Sequence, residues 1–186
     1  MSDVSIRKHP RQGYLLTTEC ILPRPIDEVF EFFADAGNLE LLTPKWLKFR
    51  ILTPLPIAMY PGRLIDYRLK VHGIPVGWQS EITVWEPPYR FVDESRRGPY
   101  RFWRHEHRFE EVDGGTRVMD EVHYGVPGGA LVHWAVVGRD LLNIFRYRRE
   151  QLAAHFPPLT PGEGWDQGRA FAGSALAEPS PVGRGH

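Results

Sequence analysis

The chain has 186 residues, 42% hydrophobic and 25% charged, with 23 Lys and Arg balanced by 23 Asp and Glu for a formal net charge of zero. That length suits one domain able to bury a core, and the balanced charge lacks the basic excess that marks nucleic-acid binders. A single cysteine, Cys20, excludes an intrachain disulfide and a Cys-based zinc site.

Residues 1–12 are polar and carry no apolar signal-peptide core, so they read as a flexible N-terminus outside a domain spanning 13–158. No stretch approaches the roughly 18 apolar residues of a membrane span, and the default location is the cytoplasm. Tyr14 to Leu22 is β-leaning, with its inward face left open by the pattern. Pro23 and Pro25 stop that strand, and Pro25 suits the first turn of a helix. Ile26, Val29, Phe30 and Phe33 fall on one helical face. A second short helix over Ala36 to Leu42 ends before Pro44.

The period then changes to two. Leu47, Phe49 and Ile51 alternate with Lys48 and Arg50, and Ile65, Tyr67, Leu69 and Val71 alternate with polar residues. After the Gly73-Ile74-Pro75 turn, Trp78, Ile82 and Val84 share a face, while Trp85 is expected on the outer face or an edge. Pro87-Pro88 and Gly98-Pro99 bracket a strand from Arg90 to Ser95. Two long strands, Tyr100 to Glu111 and Thr116 to Val126, flank the hairpin signal Asp113-Gly114-Gly115. A helix from about Ala130 to Phe156 carries the apolar stripe Trp134, Val137, Leu141, Ile144, Phe145 and Leu152, and Arg146 to Arg149 read as a solvated face. Residues 159–186 are rich in Pro, Gly, Ala and Ser and are expected to be a disordered tail. Seven strands joined by short turns and one long helix imply an α+β fold with an antiparallel sheet packed on that helix.

The segment Arg101 to Glu110 is the most informative. One strand face carries Arg104, Glu106, Arg108 and Glu110 and reads as solvated. The other carries Trp103, His105, His107 and Phe109, which puts two histidines between aromatics. A turn centred on Asp113-Gly114 opposes Phe109 to Val118, His107 to Asp120, His105 to Val122 and Trp103 to Tyr124. Cross-strand Cβ atoms lie about 5 Å apart, so a His107–Asp120 bond is in reach, whereas His105 has no evident partner. Unpaired buried polar groups cost on the order of 1–3 kcal/mol each. This set is therefore a structural His–Asp bond, the polar end of a pocket, or both.

Phe91-Val92-Asp93, Gly98-Pro99-Tyr100, Trp103-x-His105-x-His107-x-Phe109, Gly114-Gly115-Thr116-x-Val118-x-Asp120 and Tyr124-x-x-Pro127 together resemble the ligand-binding SRPBCC domains of the START and polyketide cyclase/dehydrase superfamily. The branch they resemble includes bacterial domains fused to nucleotide-sugar epimerase-like proteins. The likeness spans about Tyr14 to Phe156. It implies a helix-grip fold, a seven-stranded curved sheet around a long C-terminal helix with a cavity between. One departure is Ser95, where this branch commonly has Gln, so a polar ligand contact at that position is not carried over.

The first functional reading is a binder of a small, largely hydrophobic molecule such as a lipid, polyketide or isoprenoid-like compound. Its candidate lining is Phe49, Tyr67, Trp78, Ile82 and Trp103, the polar set His105, His107, Asp120 and Tyr124, and Leu141 and Phe145 on the helix. The second is a cyclase/dehydrase-type enzyme. In it His107, polarised by Asp120, acts as base, and Tyr124 or His105 acts as acid or orients a carbonyl. A metal held by the His-x-His pair and Asp120 ranks below these, because His107 and Asp120 already satisfy each other. No metal, cofactor or nucleic-acid partner is expected. A protein partner on the Arg146 to Arg149 face or the tail stays open.

Overall fold

The computed structural model describes residues 4–158. The expected disordered tail, 159–186, lies outside them. Among the described residues, eight strands form one antiparallel sheet in the order β1-β2-β8-β7-β6-β5-β4-β3. In chain order these are β1 (Ser5–Lys8), β2 (Tyr14–Leu22), β3 (Arg50–Ile51), β4 (Leu64–Val71), β5 (Ile74–Glu86), β6 (Arg90–Arg97), β7 (Phe102–Val112) and β8 (Gly115–Gly125). Helices α1 (Ile26–Ala34) and α2 (Leu39–Leu42) follow β2. The C-terminal helix comprises α3 (Gly129–Val132), a π-helical turn (His133–Val137) and α4 (Gly138–His155). This is the helix-grip architecture.

The eighth strand is the first in the chain. Residues 5–8 pair with β2, Ser5 opposite Thr17 and Lys8 opposite Tyr14. Residues 1–12 are thus not wholly a flexible lead-in, because the unpaired outer edge of β2 accepts them as a strand. The expected strand from Leu47 to Ile51 is mostly not one. Pro44 opens a 3₁₀ turn over Lys45–Leu47, Lys48 closes it with a left-handed φ of 44°, and only Arg50 and Ile51 pair with β4.

α1 carries Asp27 and Glu28 in its first turn, where carboxylates oppose the positive helix end, and buries Ile26, Val29, Phe30, Phe32 and Phe33. At the β7–β8 hairpin, Gly114 has φ 87° and Gly115 has φ 145°. A Cβ on Gly115 would meet the Leu22 carbonyl oxygen at 2.0 Å, so chemistry at that turn forbids a side chain. The tight turn holds the register, and Phe109–Val118, His107–Asp120, His105–Val122 and Trp103–Tyr124 are the observed cross-strand partners. On β2 the inward residues are Leu16, Thr18 and Leu22, all buried, with Cys20 between them partly so.

A bulge decides the facing of β5. Its pairing with β6 shifts between Ile82 and Val84. An extra residue flips every later side chain. Val84 therefore leaves the face of Trp78 and Ile82, and Trp85 turns inward against Phe30 and Phe91, with ring centroids 5.3 and 5.7 Å away. The π turn does the same to the C-terminal helix. Trp134 leaves the apolar stripe and is 82% exposed. Arg148 departs from the solvated face and is buried, as is Glu106 on the convex side of β7. Glu106 escapes the cost of burial through Arg104 at 2.7 Å, Arg108 at 2.6 Å and Arg90 at 3.3 Å.

Packing on the concave side is solid at one end and open at the other. Phe30, Phe33, Phe91, Phe109, Leu152 and Phe156 form an aromatic-rich core under α1. Toward β4 and β5, Ile65, Tyr67 and Ile82 meet Phe49 and Trp78 but leave space beneath the C-terminal helix.

Candidate functional site

That space is a cavity of about 600 Å³ between the sheet, the α1–α2 segment and the C-terminal helix. Phe49, Tyr67, Trp78, Ile82 and Trp103 reach it from the strands and the segment before them, and Leu141 and Phe145 reach it from α4. His105 and His107 also line it. Asp120 and Tyr124 do not. Asp120 lies behind the histidines, facing Thr18, Cys20 and Arg148. Tyr124 is fully buried, and its hydroxyl meets His133 Nε2 at 2.9 Å while His133 stacks on Tyr14 at 3.5 Å. Tyr124 therefore ties the start of the C-terminal helix to β2 and β8 and contributes no surface to the cavity.

Three polar residues enter the site that the sequence reading leaves out. Asp93 faces inward from β6 opposite His105. Ser80 comes from β5, where its hydroxyl accepts from Trp78 Nε1 at 3.0 Å and donates to Asp93 Oδ1 at 3.3 Å. Arg148 reaches in from α4 over the Phe33 ring. The alternation of Phe91 and Asp93 on one strand face signals Asp93, but which strand pairs with β7 on its other side is not local information. Arg148 lies three residues after Phe145 and four before Leu152, a spacing that puts it on the buried stripe despite its charge.

The polar end is a compact square of groups. Asp120 Oδ1 accepts from His105 Nε2 at 3.1 Å, so His105 does have a partner. His107 Nδ1 lies 2.7 Å from the same oxygen, off the line of a directed hydrogen bond, so that contact is chiefly Coulombic. Arg148 Nε stands 3.7 Å from Asp120 Oδ2. On the cavity side, Asp93 Oδ2 lies 3.6 Å from His105 Nδ1 and 3.5 Å from His107 Nε2.

Burial alone would raise the Asp120 carboxyl, but Arg148 and His107 outweigh it and hold it well below the ordinary carboxylate range. Burial likewise works to raise Asp93, and its contacts with His107 and His105 prevail to lower it. The histidines part company. Burial, then the neighbouring His107, pushes His105 down to about 4, whereas for His107 the Asp120 contact overcomes burial and raises it. Two carboxylates thus face one guanidinium and two imidazoles, with His105 held neutral and His107 biased toward its charged form.

Cys20 sits behind this cluster, and burial pushes its thiol up to about 11. Fewer thiolates at about pH 8 outweigh their greater nucleophilicity, so iodoacetamide is expected to modify the native protein at least about tenfold more slowly than free cysteine. Mass spectrometry over time checks this; native and urea-denatured protein reacting at one rate would contradict it. At the other end of the cavity, His72 in the β4–β5 turn meets Asp140 of α4 at 2.7 Å, and both line the space.

A helix-grip sheet closed over a cavity with one charged end defines a class, and the family comparison places the chain within it. The family described as polyketide cyclase / dehydrase and lipid transport matches residues 22–151. The chain belongs to that family. No curated protein matches it in sequence. Among solved structures it is similar to a protein of Chromobacterium violaceum, with TM-score 0.62 and 16% identity over 78% of this chain and 99% of that one. A protein of Mycobacterium smegmatis gives TM-score 0.59 and 19% identity over 82% and 96%. A nucleoside-diphosphate sugar epimerase of Corynebacterium glutamicum gives TM-score 0.55 and 24% identity over 74% of this chain but 28% of its own. At these identities the likeness is one of fold. Among the described residues, no helix is long and apolar enough to cross a membrane.

Proposed function

We propose that the protein binds a small, largely hydrophobic molecule, of lipid, polyketide or isoprenoid-like character, in the cavity between its sheet and C-terminal helix. The observation that carries this reading is the cavity itself. Its volume of about 600 Å³ falls in the usual range for small-molecule sites, and its walls are mostly aromatic and aliphatic with polar groups converging at one end. His105, His107 and Asp93 would meet a polar group of the ligand while the apolar remainder displaces water. A location in the cytoplasm accords with the unpaired Cys20. Nucleic acid has no part in this reading, given the zero net charge.

The test is titration of the full chain with a fluorescent fatty-acid analogue, beside native mass spectrometry of freshly purified protein. Saturable binding of one probe per chain is expected. Val136 lines the cavity from the π turn. Val136→Trp, which directs an indole into the space, is expected to weaken binding of a long-chain probe by about tenfold or more. Binding that is absent in the wild type, or equal in the two proteins, defeats the proposal.

A second reading is a cyclase/dehydrase-type enzyme in the same cavity. It is favoured by His107, which lines the space with the Asp120 carboxylate at its back, 2.7 Å away, where the negative charge makes the imidazole more basic. Any ligand released on denaturation serves as the trial substrate. Turnover of that compound should fall by about 10²–10⁴-fold in His107→Gln; turnover unaffected by the substitution would remove His107 from the chemistry.

A further inference from the structure

We infer that Asp93, His105 and His107 form a binding site for one divalent cation of the zinc or ferrous class, at the polar end of the cavity. The sequence reading sets only Asp120 beside the histidines, and His107 already engages that carboxylate. The fold brings a second carboxylate, Asp93, to their opposite side. One donor atom from each of Asp93, His105 and His107 lies within 4.8 Å of the others.

The atoms that face one another carry the argument. Each imidazole has one nitrogen turned to Asp120 and the other turned to Asp93. His105 uses Nε2 and His107 uses Nδ1 toward Asp120. That leaves His105 Nδ1 and His107 Nε2 around Asp93 Oδ2, at 3.6 and 3.5 Å. These separations are long for hydrogen bonds. They are close to the edge of a tetrahedron whose centre is a metal about 2.1 Å from each donor, which is about 3.4 Å.

The supporting contacts are those that metal sites use. A ligating histidine ordinarily has its far nitrogen held by a carboxylate, and here one carboxylate stands behind both rings. Asp120 is itself held by Arg148 at 3.7 Å. Asp93 is oriented by the Ser80 hydroxyl on Oδ1, which leaves Oδ2 for the metal. Two imidazoles and one carboxylate suit zinc or ferrous iron and discriminate against calcium and magnesium, which take all-oxygen sets. With neutral imidazoles the two carboxylates and Arg148 leave one net negative charge to receive the cation. Any proton carried by His107 leaves to solvent when its Nε2 lone pair is donated. Three protein ligands leave at least one coordination position, and all three residues line the cavity. An oxygen donor of a ligand would complete the sphere there. Only this last role rests on the ligand-binding reading; the metal set stands without it.

The test uses the full chain, purified without a histidine tag and stripped with chelator. Zn(II) alone is titrated calorimetrically, and Co(II) alone by visible absorption. Uptake of one Zn(II) per chain is expected, with the intense d–d bands of four- or five-coordinate cobalt. In the near-isosteric Asp93→Asn, and in His105→Gln, affinity should fall by more than about 100-fold, and in Asp120→Asn by roughly 10–100-fold. Circular dichroism confirms that each variant is folded. In ¹⁵N spectra the zinc-dependent shifts should fall on His105 Nδ1 and His107 Nε2. Absence of stoichiometric uptake by the wild type overturns the inference, as does uptake unchanged in folded Asp93→Asn. Binding of the fatty-acid analogue to the metal-free protein is scored separately, so loss of the metal site and loss of the ligand-binding reading give different results.

Discussion

Asp120→Ala will lower the free energy of unfolding by about 3–5 kcal/mol. For a domain of this size that corresponds to a fall in Tm of about 6–20 °C. Asp120 and Arg148 have side chains only 5% and 11% exposed, so water cannot take the place of the lost carboxylate. The substitution leaves the guanidinium facing His107 with no anion on that side, and it also removes the acceptor that orients His105. Most of the cost is that of an uncompensated buried charge, not the intrinsic worth of the pair. Adding Arg148→Met to Asp120→Ala should therefore recover a substantial part of the loss, because the flexible thioether chain fills similar space without the charge. Urea unfolding of the single and double variants, followed by far-ultraviolet circular dichroism, measures both numbers. A loss under about 1 kcal/mol, or a double variant less stable than the single, would mean that the cluster is solvent-screened.

Phe30→Ala should cost a similar amount, about 3–5 kcal/mol, for a different reason. Phe30 has its ring 5.4 Å from Phe109 and 6.1 Å from Phe91, both edge-on, and 5.3 Å from Trp85. Truncation leaves a void walled by rings that strands β5, β6 and β7 hold in place, so the site cannot collapse onto it. Phe30 does not line the cavity. Affinity for the fatty-acid analogue should accordingly stay within about twofold of the wild type at temperatures where the variant is folded, since distant sites act almost independently. A large loss of stability with unchanged binding marks a packed end and a binding end in one domain. If binding falls in parallel with stability, the two ends are mechanically coupled and the void has spread into the cavity.

Much of this arrangement is legible in local sequence. Alternation on β7 puts Trp103, His105, His107 and Phe109 on one face, and the Asp113-Gly114 turn sets Asp120 opposite His107, because a two-residue hairpin permits only one register. The spacing of Ile26, Val29, Phe30 and Phe33 suffices for α1, and the long amphipathic stretch after Gly129 suffices for the C-terminal helix. For two tryptophans the local pattern misleads through a short irregularity in the element. The bulge after Ile82 turns Trp85 inward, and the π turn at His133–Val137 turns Trp134 out. Neither leaves a mark that periodicity can read, because each is selected by packing on the far side of the element.

The sequence by itself thus determined the fold class, the family, the two histidines and the carboxylate behind them, all of which depend on neighbours close along the chain. The tertiary structure alone decided the rest of the site. Asp93 meets the histidines because β6 pairs with β7 on the side away from β8, and Arg148 meets Asp120 because a charged residue lies on the buried stripe of a helix crossing the sheet. Both contacts join residues separated by other elements. Their closeness follows from how the sheet curves and where the helix crosses it, a balance of packing over the whole core that no local window contains.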